Sequence, residues 1–282
     1  MRGERKMRRL AGMVAICVAL GAVPALAEPQ RVAEHDTLNA LLWMQSSAEY
    51  QAAALSAYAM ARAALDRALA DPAWTAALEQ DGGAAGKPPA VILDLDETVF
   101  DNTPYYAWLI ASGAPASAQT FSDFIEEKVS PPVPGAVDYM KYAASRGVAL
   151  FFVSNRNAAL KATSLEALAA LGVKVGEENI LLKRERRDWA VQKGSRRAVV
   201  AERYRIVQIV GDALGDFVDD YGVTIRRRGQ EVRSHADRWG SKWIMLPNPV
   251  YGNWENAAYE YNVKLDEQGR RAEKLRALVP WK

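Results

Sequence analysis

Cysteine and histidine are nearly missing from this chain. Its 282 residues include one cysteine, Cys17, and two histidines, His35 and His235. A single thiol closes no disulfide within the chain, so stability has to come from an apolar core. A zinc site built on a His/Cys cluster is excluded, and neither histidine lies in a catalytic setting. A strong charge of one sign is lacking too. The formal charge is +2, but residues 1–27 hold Arg2, Arg5, Lys6, Arg8 and Arg9 against Glu4, a net +4, which leaves −2 for the remainder. Such a balance gives no footprint for nucleic acid or an anionic membrane. Internal repeats and long low-complexity tracts are also absent.

Long apolar runs are limited to Leu10–Val23, which follows a basic start and precedes "ALA" at Ala25–Ala27. The run is short for a membrane span and ends in a small-residue cleavage pattern. Residues 1–27 are therefore expected to be a removable signal peptide, and the mature chain periplasmic or secreted. An outer-membrane lipoprotein would need Cys17 as its acylated residue, and the bulky Ile16 before it disfavours that alternative.

What is present begins with an Ala- and Leu-rich segment of helical spacing, residues 37–71, closed by Pro72. Trp43, Met44, Tyr50, Tyr58 and Met60 read as its packing residues. The stretch 79–89, "EQDGGAAGKPP", reads as a linker, so residues 28–85 are expected to form an N-terminal helical segment and 86–282 the main domain. In that domain short apolar runs alternate with helical patterns: Ala90–Leu95, Val148–Val153, Asn179–Lys183, Ile206–Val210 and Trp243–Leu246. The alternation predicts an α/β fold, a Rossmann-like parallel sheet with helices on both faces. Sites in such sheets lie beyond the carboxyl ends of the strands.

Three of those strand ends carry polar clusters. The first run leads into "DLDETVFDN" with Asp94 and Asp96, the second into "SNRN" from Ser154, and the fourth into "GDALGDF" with Asp212 and Asp216; Lys193 lies between the last two. An ionised carboxylate at a buried strand end is costly unless a cation meets it. Residues two apart in an extended segment point the same way, so Asp94 and Asp96 can flank one reaction centre. Asp94 can attack phosphorus, and Asp96 can protonate the leaving oxygen and then activate water. Mg²⁺ suits carboxylate and carbonyl ligands; Asp94, Asp212 and the backbone carbonyl of Asp96 can supply three. Ser154 can hydrogen-bond a phosphoryl oxygen, and Lys193 can neutralise charge there.

These motifs resemble the haloacid-dehalogenase superfamily. "LDLDETVFDN", "FFVSNR", "GDALGDF" and "KWIMLPNPVYGNWE" (Lys242–Glu255) together resemble its class C bacterial acid phosphatases, as does the early "LLWMQSSAEY" (Leu41–Tyr50). The resemblance implies a Mg²⁺-dependent phosphomonoesterase with a small cap inserted around residues 103–133. It implies Asp94 as nucleophile, Asp96 as acid/base, Asp212 as a metal ligand, Asp216 as a further acid supporting the metal, and Ser154 and Lys193 as phosphate binders. Lys183, just after a strand, competes with Lys193; "KGSRR" fits the family's lysine motif better.

Aromatic residues near the motifs suggest the substrate. Tyr251, with Phe121 or Phe124 opposite, could sandwich a nucleobase, whereas Trp108 and Trp254 read as core. The expected substrate is a small phosphomonoester such as a nucleoside monophosphate, hydrolysed best at acidic pH. A homo-oligomer is compatible with the sequence. The competing reading is a non-catalytic periplasmic or surface binding protein on the same fold; the presence of Asp96, which a binder does not need, argues against it.

Overall fold

The computed structural model describes residues 35–80, 82–221 and 224–281. The signal-peptide reading of residues 1–27, with Cys17, and the first residues of the N-terminal segment lie outside them. No helix among the described residues is long and apolar enough to cross a membrane.

Each of the five apolar runs forms a strand. They are β1 (Pro89–Leu93), β2 (Ala149–Asn157), β3 (Ile180–Lys183), β4 (Arg205–Gly211) and β5 (Trp243–Met245). All pair in parallel, in the order β3-β2-β1-β4-β5. Alternate residues of each strand serve two separate cores, as parallel strands covered on both faces require. Val91, Leu93, Leu150 and Phe152 face α2 (Ala48–Ala70) and α5 (Ala136–Ser145). Ile92, Phe151, Val153 and Ile209 face the other way, toward Trp189, Val200 and Trp243; Val200 belongs to α7 (Gly194–Arg203).

The chain leaves β1, winds outward through β2 and β3, then returns to lay β4 on the other side of β1. The crevice this reversal opens lies at the carboxyl ends of β1 and β4. Between β1 and α5, where a cap was expected, stand α3 (Thr103–Ser112) and α4 (Ala118–Glu126). Ser117 and Thr120 form a reciprocal capping box that starts α4.

The N-terminal helices are α1 (Leu38–Ser46) and α2, with Ser47 capping α2 through the Tyr50 amide at 3.0 Å. On α2, Ala54, Ala57, Ala61, Ala64 and Ala68 recur at helical spacing and are buried, so the helix lies close on the sheet. This segment shares its core with the sheet, and residues 35–282 form one compact unit. The stretch read as a linker is stitched down: Gln80 donates to Tyr204 O at 2.6 Å and accepts from the Ile206 amide at 2.9 Å, and Lys87 donates to Ala201 O at 2.8 Å. Its glycines, Gly82, Gly83 and Gly86, are exposed, so the anchoring comes from Gln80 and Lys87.

Three packing expectations need correction. Trp108 is 48% exposed and Trp254 47%, so neither is core, and Met60 is 42% exposed. Apolar character alone does not distinguish such exposed residues from core ones.

Arg205, buried at the start of β4, closes the end of α2. One guanidinium nitrogen donates to Ala68 O (3.0 Å) in the last turn of the helix and to Asp71 O (2.8 Å) and Trp74 O (3.2 Å) just beyond it. Arg205→Met should fill the space while removing this donor from the carbonyls, and should cost about 1–3 kcal/mol. Urea denaturation measures this; an unchanged midpoint would mean that water satisfies the carbonyls equally well.

Candidate active site

The sheet hydrogen bonding carries one residue past β1, since the Asp94 amide donates to Val210 O at 3.0 Å. The Asp94 side chain is thereby fixed at the strand end, where Lys193 meets it. Lys193 Nζ lies 2.6 Å from Asp94 Oδ1 and 2.6 Å from Asp216 Oδ1. Lys193 stands just before the first residue of α7 and is 4% exposed.

Asp212 follows β4, and Asp216 ends the 3-10 turn after it, accepting the Ala213 amide at 2.9 Å. Gly211 is needed for this tight return, because a Cβ there would lie 2.2 Å from Asp216 Oδ2. Asp212 accepts from Thr98 Oγ1 at 3.2 Å and from Asn248 Nδ2 at 2.9 Å.

Asp94, Asp212 and Asp216 each bring a carboxylate oxygen within 4.8 Å of the others. Three acids thus converge, and one lysine touches two of them. Burial, with Asp216 and Asp96 adding to it against the pull of Lys193, pushes the Asp94 carboxyl up to about 7. Burial, then Asp216 and Asp94, holds Asp212 well above the usual carboxylate range. Burial opposes the charge on Lys193, but Asp216 and Asp94 outweigh it and raise its pKa. The cluster is short of positive charge, and its donors are the hard oxygens that a divalent cation such as Mg²⁺ takes. The residues fit a metal.

Asp96 stands beside this group in surroundings of its own. Its Oδ1 accepts from Arg156 at 2.9 Å (Nε) and 2.7 Å (a terminal nitrogen), and from Asn102 Nδ2 at 2.8 Å. Ser154 Oγ lies 3.5 Å from Asp96 Oδ2 and accepts the Arg156 amide at 3.2 Å. Arg156 is 4% exposed, lies over the Phe100 ring, and also donates to Ser164 Oγ at 3.1 Å. Sequence reasoning took Ser154 from "SNR" and passed over Arg156. Arg156 is two residues on, along a strand that continues to Asn157, which puts it on the same side as Ser154 but does not name Asp96 as its partner.

Glu97 was passed over as well. It is buried with φ of +54°, and its carboxylate accepts the Asn102 amide at 2.8 Å and the Tyr251 hydroxyl. Burial, then Asp96 and Asp212, raises its pKa strongly.

A cavity of about 730 Å³ opens above these groups, with Asp94, Asp96, Lys193 and Asp212 lining it. Tyr106, Phe121 and Tyr251 line it too. Tyr251 stacks on Tyr106 (centroids 4.8 Å apart, planes at 21°), and Phe121 meets Tyr105 edge-on at 5.2 Å. Phe124 lines a separate cavity of about 340 Å³ with Trp108 and Val129. Of the two phenylalanines offered as partners for Tyr251, Phe121 is thus the one on the carboxylate cavity. Lys183 also lines that cavity, but it is Lys193 that touches the carboxylates.

Comparison with known proteins agrees with this geometry. Residues 17–254 match the family described as HAD superfamily, subfamily IIIB (Acid phosphatase). The structure of the class C acid phosphatase from Bacillus anthracis is similar, with 31% identity, a TM-score of 0.76, and coverage of 87% of this chain and 98% of that one. A crystal structure of the class C acid phosphatase from Bacillus anthracis with tungstate bound gives a TM-score of 0.77 at the same identity and coverage. The chain belongs to subfamily IIIB of the haloacid-dehalogenase superfamily, the acid phosphatases.

Proposed function

We propose that this chain is an exported, Mg²⁺-dependent phosphomonoesterase that hydrolyses small phosphate esters, 5′-nucleotides among them, through an aspartyl-phosphate on Asp94. The observation that carries the reading is the pairing of two differently held aspartates two residues apart. Asp94 faces Lys193 and the other carboxylates, whereas Asp96 faces Arg156 and Asn102. A non-catalytic binder has no use for that division of roles.

In the first half-reaction a carboxylate oxygen of Asp94 bonds to phosphorus as the ester P–O bond breaks. The leaving oxygen takes a proton from Asp96. Three donors occupy Asp96 Oδ1, so the transferable proton resides on Oδ2, the oxygen nearer Ser154. In the second half Asp96 takes a proton from water while the water oxygen bonds to phosphorus. The bond to Asp94 then breaks and phosphate leaves. Ser154 and Lys193 hold the phosphoryl oxygens. Mg²⁺, held by Asp94, Asp212 and Asp216 with the backbone carbonyl of Asp96, would supply the positive charge that lets a carboxylate meet an anionic phosphoryl group. The tungstate in the similar Bacillus anthracis structure supports an oxyanion site, tungstate being tetrahedral like phosphate.

The helices α3 and α4, within residues 103–133, serve in this reading as a small cap that brings aromatic rings to the cavity wall. A nucleobase would rest among Phe121, Tyr106 and Tyr251. Residues 1–27, outside the described residues, support export to the periplasm or beyond.

Asp94→Asn should keep the fold and lower kcat by about three orders of magnitude or more. Chelation of divalent ions should abolish phosphate release from the unaltered protein, and added Mg²⁺ should restore it. Activity that survives both treatments would end the reading.

Phe121→Ala should lower kcat/KM for AMP about tenfold or more relative to glucose 6-phosphate, since stacking on a base is worth about 1–3 kcal/mol. Phe124→Ala should discriminate far less between the two substrates. Equal discrimination by both variants would remove the base from this wall.

A further inference from the structure

The carboxylate cavity has a second wall that the chemistry above does not use. It is built where β2 and β3 end, and Asn155, Asn157, Lys183 and Arg184 line it. A bulge between Ser154 and Asn157 brings Asn157 level with Lys183. Lys183 is half-buried and Arg184 exposed. Neither side chain has a hydrogen-bond or ion-pair partner among the described residues.

The nearby acids are turned elsewhere. Glu185 accepts from Lys161 and from the Leu182 amide at 2.7 Å. Glu255, on the same cavity, pairs with Lys274 at 2.5 Å. Beneath this wall lies Arg196, fully buried. It donates to Ser154 O, Asn155 Oδ1, Ala190 O and Gln192 O, and no carboxylate meets it. Burial, then the charges of Arg184 and Arg196, lowers the pKa of Lys183. Arg184 also holds φ of +70°, a left-handed backbone that costs a non-glycine residue energy and is common at functional sites.

The cavity is therefore polarised. Carboxylates crowd its β1/β4 side, and uncompensated cations stand on its β2/β3 side. Two strand spacings, about 10 Å, separate β1 from β3, and long side chains can reach back across part of that gap.

We infer that Lys183 and Arg184 form a second anion subsite, which selects phosphomonoesters whose leaving group carries a further anionic group such as a second phosphate. The inference rests on the phosphatase reading, because it takes the scissile phosphate to sit at Asp94. A substrate charged at both ends would then lie across the cavity, with its reacting phosphate at the carboxylates and its distal phosphate at Lys183 and Arg184. Charge-assisted contacts to the distal phosphate would hold it there.

Matched substrates test this in the full-length protein with Mg²⁺. Adenosine 3′,5′-bisphosphate is compared with AMP, so that the base cancels, and fructose 1,6-bisphosphate with fructose 6-phosphate, which has no base. The wild type should favour the bis-phosphorylated member of each pair in kcat/KM. Lys183→Gln and Arg184→Asn, the latter a residue that tolerates the left-handed backbone, should each reduce that preference about tenfold. Lys183→Arg should retain it. Equal loss on both members of a pair would overturn the inference, since the two cations would then serve the scissile phosphate or the fold.

Binding supplies a readout independent of turnover. On an Asp94→Asn background, calorimetry should show adenosine 3′,5′-bisphosphate binding more tightly than AMP, with Lys183→Gln removing the difference. If the wild type hydrolyses nothing, the phosphatase reading fails while this comparison still decides the subsite; equal affinities would overturn it.

Discussion

The rest of the structure depends on how Asp94, Asp212 and Asp216 are kept together. Their carboxylates converge at the ends of two adjacent strands, and a single buried lysine touches two of them. Such an arrangement is costly in isolation, because buried like charges repel and are desolvated at once. Backbone geometry offsets the cost by fixing each side chain before charge enters: the ladder bond that holds Asp94, the glycine that lets Asp216 fold back, and the Thr98 and Asn248 donors on Asp212. The result is a site in want of a cation, poised where an anionic ester has to be bound. The parallel sheet with its reversal at β1 is what sets these strand ends side by side.

Around that centre the polar network gives two aspartates different surroundings. Two residues of separation suffice, because their partners differ: a lysine shared with other acids for Asp94, an arginine and an asparagine for Asp96. Farther out, the balance of charge reverses at the ends of β2 and β3. Cations thus line one wall of the cavity and acids that could hold a metal line its floor, and low-dielectric walls strengthen the field of both.

Much of this was legible in the sequence, for definite reasons. A strand buried on both faces must be a continuous apolar run, so all five strands stood out, and the polar residues just past them marked the site. Asp94, Lys193, Asp212 and Asp216 do meet. Arg156 and Glu97 were harder to see, because a buried charge is recognisable only once its partner is known. Glu97 requires Tyr251, 154 residues away, and Arg156 requires Asp96, 60 away. Trp108 and Trp254 were misread as core because apolar character does not say which side of a helix faces outward. The anchors of the glycine-rich stretch 79–89, Gln80 and Lys87, were not legible, since they bond to backbone atoms more than a hundred residues on. The cationic wall could not be found from sequence either; absence of a partner is a property of the folded chain.

The account stands or falls on whether phosphorus becomes bonded to Asp94. The direct measurement is to quench the protein in acid during turnover, reduce it with borohydride, and map the modified residue by mass spectrometry. An acyl phosphate is reduced to the alcohol, so a phosphorylated aspartate becomes homoserine. An Asp96→Asn background, given 4-nitrophenyl phosphate, whose leaving group departs without a proton, lacks only the base for the second half-reaction and should accumulate the intermediate. The account predicts homoserine at position 94 and at no other aspartate. Phosphate release with position 94 unmodified, or with homoserine at another position, would contradict it.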